Sequence, residues 1–156
     1  MRIRTEVLID APLDVVWRAF NDPAEITQWD ASDDWRTTWA SNDLRVGGLL
    51  RLRIEPRHGE AGFDFAATYT WVEPMRRIDW RMEDGRHVRV DFRETGAGVM
   101  VNQAFDAEAV PSIEEQYRDW QDVLESFACH AAAIAERAGT GGRGRAPPAR
   151  TPPRGI

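Results

Sequence analysis

Three aspartates crowd one short segment: Asp30, Asp33 and Asp34 in DASDDW. Close carboxylates can split their pKa values into an acid and a base, or hold a cation between them. The glycine and terminal glutamate of a calcium loop do not follow at the required spacing, so the plainer reading is a helix cap and a solvated loop. His58, His87 and His130 match no metal-ligand spacing. His130 follows Cys129, but neighbours on a helix point about 100° apart, and the single thiol reads as a small buried or half-buried side chain. No GxSxG, GxGxxG or GxxxxGK(S/T) pattern occurs. The residues therefore single out no catalytic set, metal or cofactor.

What remains is aromatic. The chain holds seven Trp and six Phe, enough to fill a core or to wall an apolar cavity. Phe63, Phe65, Tyr69 and Trp71 share one parity, and Trp80 stands on the next segment. Tyr117, Trp120 and Leu124 fall on one helical stripe, while Trp17 and Trp35 precede them. Asp64 adds a polar group beside the first run. A binding cavity needs apolar walls and a few polar groups to orient its ligand, and a tyrosine hydroxyl among rings would serve. These residues are the candidate ligand pocket, and core filling is the competing reading. Several strands are apolar on both faces, so the parity that faces inward stays open.

Alternation and helical periodicity predict the elements that must position these groups. Ile3, Thr5, Val7 and Ile9 alternate as a strand. Leu13, Val16, Trp17 and Phe20 make an amphipathic helix opened by Pro12. Asp22 can cap a second short helix, with Glu25 at the capping-box position. A strand around 36–40 precedes four further strands in a meander over 49–93, joined by turns that include Asp84-Gly85, and one more over 99–105. Ser112 and Glu115 form a capping box for a last helix. Its apolar residues, Ile113, Tyr117, Trp120, Leu124, Phe127, Ala131 and Ile134, recur at alternating spacings of four and three. A stripe roughly 37 Å long needs an equally long partner, and only the sheet can supply one.

Strands followed by a helix without βαβ alternation make an α+β domain. The expected fold is a curved antiparallel sheet of six or seven strands around the C-terminal helix, a helix-grip arrangement, with two short helices after strand 1. The domain is expected over 1–137. Beyond it, 138–156 is rich in Gly, Pro and Arg and should be disordered.

Charge limits the partners. All 20 basic residues are Arg, and the net charge is −6. Four Arg and no acid lie from Gly139 onward, leaving 16 Arg against 26 acids, or −10, on the folded part. An acidic body does not suit duplex nucleic acid, which needs a basic face. No apolar run is long enough for a membrane span, and a lone cysteine with no signal-peptide pattern suits the reducing cytoplasm.

Several motifs in order also resemble a family. Ala11-Pro-Leu-Asp-Val-Val-Trp17, Asp22-Pro23 and Trp29 are similar to the opening of the START-like, SRPBCC superfamily. Asn42-Asp-Leu-Arg-Val-Gly-Gly48, Gly62-Phe-Asp-Phe65, Asp84-Gly-Arg86, Phe105-Asp-Ala-Glu108 and Tyr117-Arg-Asp-Trp120 resemble its Aha1-like, YndB-like branch, related to the activator of Hsp90 ATPase. The resemblance spans about residues 3–135. It implies the helix-grip fold and a hydrophobic pocket, but no single activity. The first expectation is a non-enzymatic binder of a small hydrophobic or aromatic molecule between sheet and C-terminal helix. The alternatives are a cyclase or hydrolase using a pocket Tyr, Asp or His as acid or base, and an Hsp90-related protein-interaction module presenting an exposed apolar patch on the convex sheet face.

Overall fold

Alternating side chains become a curled antiparallel sheet, and the 3.6-residue stripes become the helices that close it. The structure is a computed structural model and describes residues 1–143, with side chains described through residue 139. Strand β1 (Arg2–Ile9) leads into helices α1 (Leu13–Asn21) and α2 (Pro23–Trp29). Strands β2 (Trp35–Asn42), β3 (Leu49–Pro56), β4 (Phe63–Glu73), β5 (Arg77–Met82), β6 (His87–Thr95) and β7 (Gly98–Asp106) follow, then helix α3 (Ile113–Arg143). One seven-stranded sheet runs β1-β7-β6-β5-β4-β3-β2, every neighbouring pair antiparallel. This is the expected α+β helix-grip fold. Helix α3 carries the described chain to Arg143, and the rest of the tail expected to be disordered lies outside the described residues. No helix among the described residues is long and apolar enough to cross a membrane.

The caps follow local chemistry. Asp22 accepts a 2.9 Å hydrogen bond from the Ala24 amide at the start of α2. Ser112 accepts from the Glu115 amide at 3.1 Å and donates to the Glu115 carboxylate at 3.0 Å, ahead of α3. Glu25 departs from its expected capping role. Its carboxylate lies 2.6 Å from His130 Nε2 and ties α2 to α3.

The inner face of the sheet carries Leu50 and Leu52 of β3, Ala67 and Tyr69 of β4, Ile78, Trp80 and Met82 of β5, and Val88, Val90 and Phe92 of β6, all buried. Helix α3 packs chiefly along β1 and over α1, with Phe127 and Ala131 fully buried and Trp120 stacked on Phe105 at 3.9 Å. Phe20 meets Trp29, Phe92 and Phe127 at centroid distances of 5.1–5.4 Å. This ring cluster, with Trp17 edge-on to Phe92 at 5.1 Å, plugs the end of the half-barrel where β1 runs out.

Two bulges interrupt the alternation. In β4 the register shifts between Tyr69, opposite Trp80, and Trp71, opposite Asp79. In β2 it shifts between Thr37, opposite Ile54, and Trp39, opposite Arg53. An extra residue swings every later side chain to the other face. Trp71, expected on the face of Tyr69, therefore emerges on the convex side.

Gly98 opens β7 with φ +139°, a left-handed backbone, and a Cβ there would strike the carbonyl oxygen of Ile9. Both effects oppose any side chain. Gly98→Ala should destabilise the protein by about 2 kcal/mol or more, read as a lower urea midpoint at unchanged slope. An unchanged midpoint would show that the β1–β7 ladder opens freely here.

Candidate functional site

The end of the half-barrel opposite the ring plug is built differently. Ala67 pairs with Met82, the last residue of β5, so Phe65 and Phe63 project beyond it, level with the β5–β6 turn. At that end Asp106 accepts a 2.8 Å hydrogen bond from the His87 amide, and the Ala107 amide bonds the Met1 carbonyl. Gln116, in the first turn of α3, clamps Glu108 through both its amide and its carbonyl. The helix start and the first residues of β4 thus share one end of the bowl.

Apolar rings stay half-exposed there. Phe63 lies opposite Ile54 and Trp35 opposite Pro56, on the inner parity. Their rings meet edge to face at 5.6 Å. Trp35 remains 40% exposed, Phe63 48%, and on the helix Ile113 remains 40% and Tyr117 46% exposed. Deeper in, Phe65 is half-buried, followed by buried Ala67, Met82, Trp80 and Tyr69. The candidate site is this descent from a half-open aromatic rim to a buried floor.

A few polar groups line the descent. The Tyr69 hydroxyl donates to Asn42 Oδ1 at 2.7 Å, and Asn42 Nδ2 donates to the Asn21 carbonyl at 2.8 Å. Burial pushes the Tyr69 pKa well above its ordinary value, with the Asn42 bond opposing only in part, so the hydroxyl stays protonated and aimed at Asn42. Asp30 ends α2 and accepts 2.8 Å from the Thr37 hydroxyl, while the Thr37 amide bonds the Asp30 carbonyl at 3.1 Å. Burial raises the Asp30 pKa, and the Thr37 bond offsets part of the shift. Among the described residues, the Trp80 indole nitrogen is a buried donor without a hydrogen-bond partner.

The residues singled out from the sequence divide sharply. Tyr69, Trp80 and Leu124 are buried inside, Phe65 and Trp120 half-buried, and Trp35, Phe63 and Tyr117 stand at the rim. Trp17 belongs to the ring plug at the other end. Trp71 lies on the convex face, 47% exposed, its N–H on Glu73 and the Arg77 guanidinium 5.4 Å from its ring centre. The three aspartates do not converge: Asp33 and Asp34 are exposed, apart from the Asp30–Thr37 pair. Cys129, expected at least half-buried, is exposed, because its helix position turns away from the stripe. Among the described residues, no three His, Cys, Asp or Glu gather as a metal site would require. Sequence reasoning missed Asn42 and Thr37 and gave Glu25 only a capping role. Asn42 lay inside a motif singled out beforehand and Glu25 in the capping box, but none carried a periodic signal for its partner, since each partner is distant in the chain.

The middle of the convex face is charged. Asp79 accepts from Arg77 at 2.8 and 3.1 Å and from Arg89 at 3.1 and 3.2 Å. Burial pushes the Asp79 carboxyl up, but the hydrogen bonds from both guanidiniums outweigh it and hold its pKa below the usual range.

The family described as activator of Hsp90 ATPase homolog 1-like protein matches residues 10–132. No curated protein matches the chain. Among solved structures, the AHSA1-like protein from Aeromonas hydrophila is 39% identical, with a TM-score of 0.80, covering 86% of this chain and 94% of that one. A protein from Cytophaga hutchinsonii is 34% identical, TM-score 0.74, over 86% and 94% of the two chains. A protein from Chromobacterium violaceum, 23% identical with TM-score 0.74 over 84% and 97%, shares the fold.

A carboxyl whose pKa is raised on folding binds its proton more tightly folded than unfolded. Its protonated form therefore supports the fold below the unfolded value of 3.8, and that support fades as pH rises through the higher folded value. Wild type should thus gain stability relative to Asp30→Asn as pH falls from 7 toward 4, measured by urea unfolding of both. A difference that stays flat with pH would show the carboxyl to be ordinary.

Proposed function

The chain belongs to the activator of Hsp90 ATPase homolog 1-like family, and from that premise we propose that it is a non-enzymatic binder of a small hydrophobic or aromatic molecule. The molecule enters at the rim of Trp35, Phe63 and Tyr117 and lies between the sheet and the first turns of α3. One observation carries the reading: Trp35 and Phe63, on the inner parity of the sheet, are left half-exposed at the end where the helix stripe also leaves Tyr117 half-exposed. Each such ring that a ligand finished covering would contribute about 2 kcal/mol, and an apolar frame matches the surface on offer.

The polar groups support binding over turnover. Tyr69 is protonated and committed to Asn42, so it orients rather than exchanges protons. The Arg77–Asp79–Arg89 ladder in the middle of the convex face is unlike the broad apolar patch that an interaction module would present there. The reading places the protein in the reducing cytoplasm, where an exposed thiol such as Cys129 stays reduced.

The test is equilibrium dialysis with 2-ethylnaphthalene, an uncharged two-ring probe. Wild type should retain it. Phe63→Asp, which puts a charge on the rim, should weaken retention about tenfold, while Trp71→Ala, on the convex face, should leave it unchanged. Retention by the wild type of neither this probe nor its ketone analogue 2-acetylnaphthalene, or indifference to Phe63→Asp, would remove the reading.

A further inference from the structure

Among the described residues, buried side-chain donors find acceptors, with one exception. Trp29 gives its indole N–H to the Ala19 carbonyl at 2.8 Å, and Asn21 Nδ2 donates to the Trp17 carbonyl at 2.9 Å. Among the described residues, the Trp80 indole nitrogen alone is buried without a partner. A stranded donor costs a fold about 1–3 kcal/mol, so one that persists in a native structure calls for an explanation. The fold satisfies the Trp29 indole in the ring plug and leaves the Trp80 indole unsatisfied.

The position of Trp80 suggests the use. It is 7% exposed, on the inner face, opposite Tyr69 on β4 and Val88 on β6. Its ring centre lies 6.4 Å from that of Tyr69 and 6.5 Å from that of Phe20. One step toward the open rim, the inner pair is Ala67 and Met82: a single methyl, and an unbranched thioether that can change rotamer. The one neighbouring hydroxyl, that of Tyr69, is already committed to Asn42.

We infer that Trp80 is the recognition donor of the site, and that its ligand carries an uncharged carbonyl oxygen on the apolar frame to accept the indole proton. The inference rests on the binding function proposed above. The oxygen is uncharged because the surrounding inner rows of β4, β5 and β6 supply Ala67, Tyr69, Ile78, Met82, Val88 and Val90 and no cation. A carboxylate buried there would have no counter-charge. A site built around a buried donor also discriminates against analogues that lack the acceptor, because their binding leaves the donor stranded.

Two probes of nearly equal shape test this: 2-acetylnaphthalene, and 2-ethylnaphthalene, in which the carbonyl becomes CH2. Wild type should hold the ketone about tenfold more tightly, the ratio that one net hydrogen bond of about 1.4 kcal/mol gives. Trp80→Phe keeps a ring but removes the N–H, and should bring the ratio to about one. In the wild type, the Trp80 indole proton, assigned in the wild-type ¹H–¹⁵N spectrum through its NOEs to the neighbouring Tyr69 and Val88 side chains, should move downfield with the ketone alone. That readout stands even if the variant folds poorly. Equal retention of both probes, or an indole proton that responds alike to both, would overturn this inference and leave the binding function standing. Retention of neither would overturn both.

Discussion

The ring cluster of Phe20, Trp29, Phe92 and Phe127 decides the shape of this protein. It is where α1, α2, α3 and the sheet meet, and its members pack at centroid distances of 4.9–5.4 Å. Fully buried Phe127 pins the middle of α3 to the plugged end. The first turns of the helix then reach over the opposite end of the bowl, where the Gln116 clamp on Glu108, the Trp120–Phe105 stack and the two Gln121 bonds to the Glu6 backbone hold them. One end of the space is consumed by packing, and the other is left rimmed with half-exposed rings. The proposed site takes its place from this asymmetry.

Most polar groups inside the bowl are satisfied: the Tyr69–Asn42–Asn21 chain links β4 to β2 and to the end of α1, and nearer the rim Asp30–Thr37 links α2 to β2. These bonds fix the orientation of Tyr69 and the approach of β2 without offering a free acid or base. The unsatisfied Trp80 donor lies where the satisfied region gives way to the small Ala67. The outer face shows the opposite solution. Charged side chains pair across strands, as Arg77 and Arg89 do on Asp79, and keep the sheet wetted.

Much of the fold was legible in the residues. Alternation located β1 and the β4–β7 meander within a residue or two, Asp22 and Ser112 marked helix starts that the structure caps as expected, and the four-three spacing found α3. The candidate site was legible only in part. Tyr69, Trp80, Phe65, Phe63 and Tyr117 fell on the inner face or its rim because alternation and the helical stripe are local properties. Trp71 and Cys129 were misplaced, and Glu25 was assigned a cap it does not make.

The sequence by itself determined which segments are strands and which are helices, because backbone periodicity and cap chemistry act over a few neighbouring residues. Only the tertiary structure decided which face each ring occupies. The bulges after Tyr69 and Thr37 arise from pairing with β5 and β3, and one extra residue there sends Trp71 and Trp39 outward with no mark in the local pattern. The same holds for Glu25 and His130, Tyr69 and Asn42, and the stranded Trp80. Whether a polar group finds a partner depends on atoms far along the chain, which only the closed sheet brings within hydrogen-bond reach.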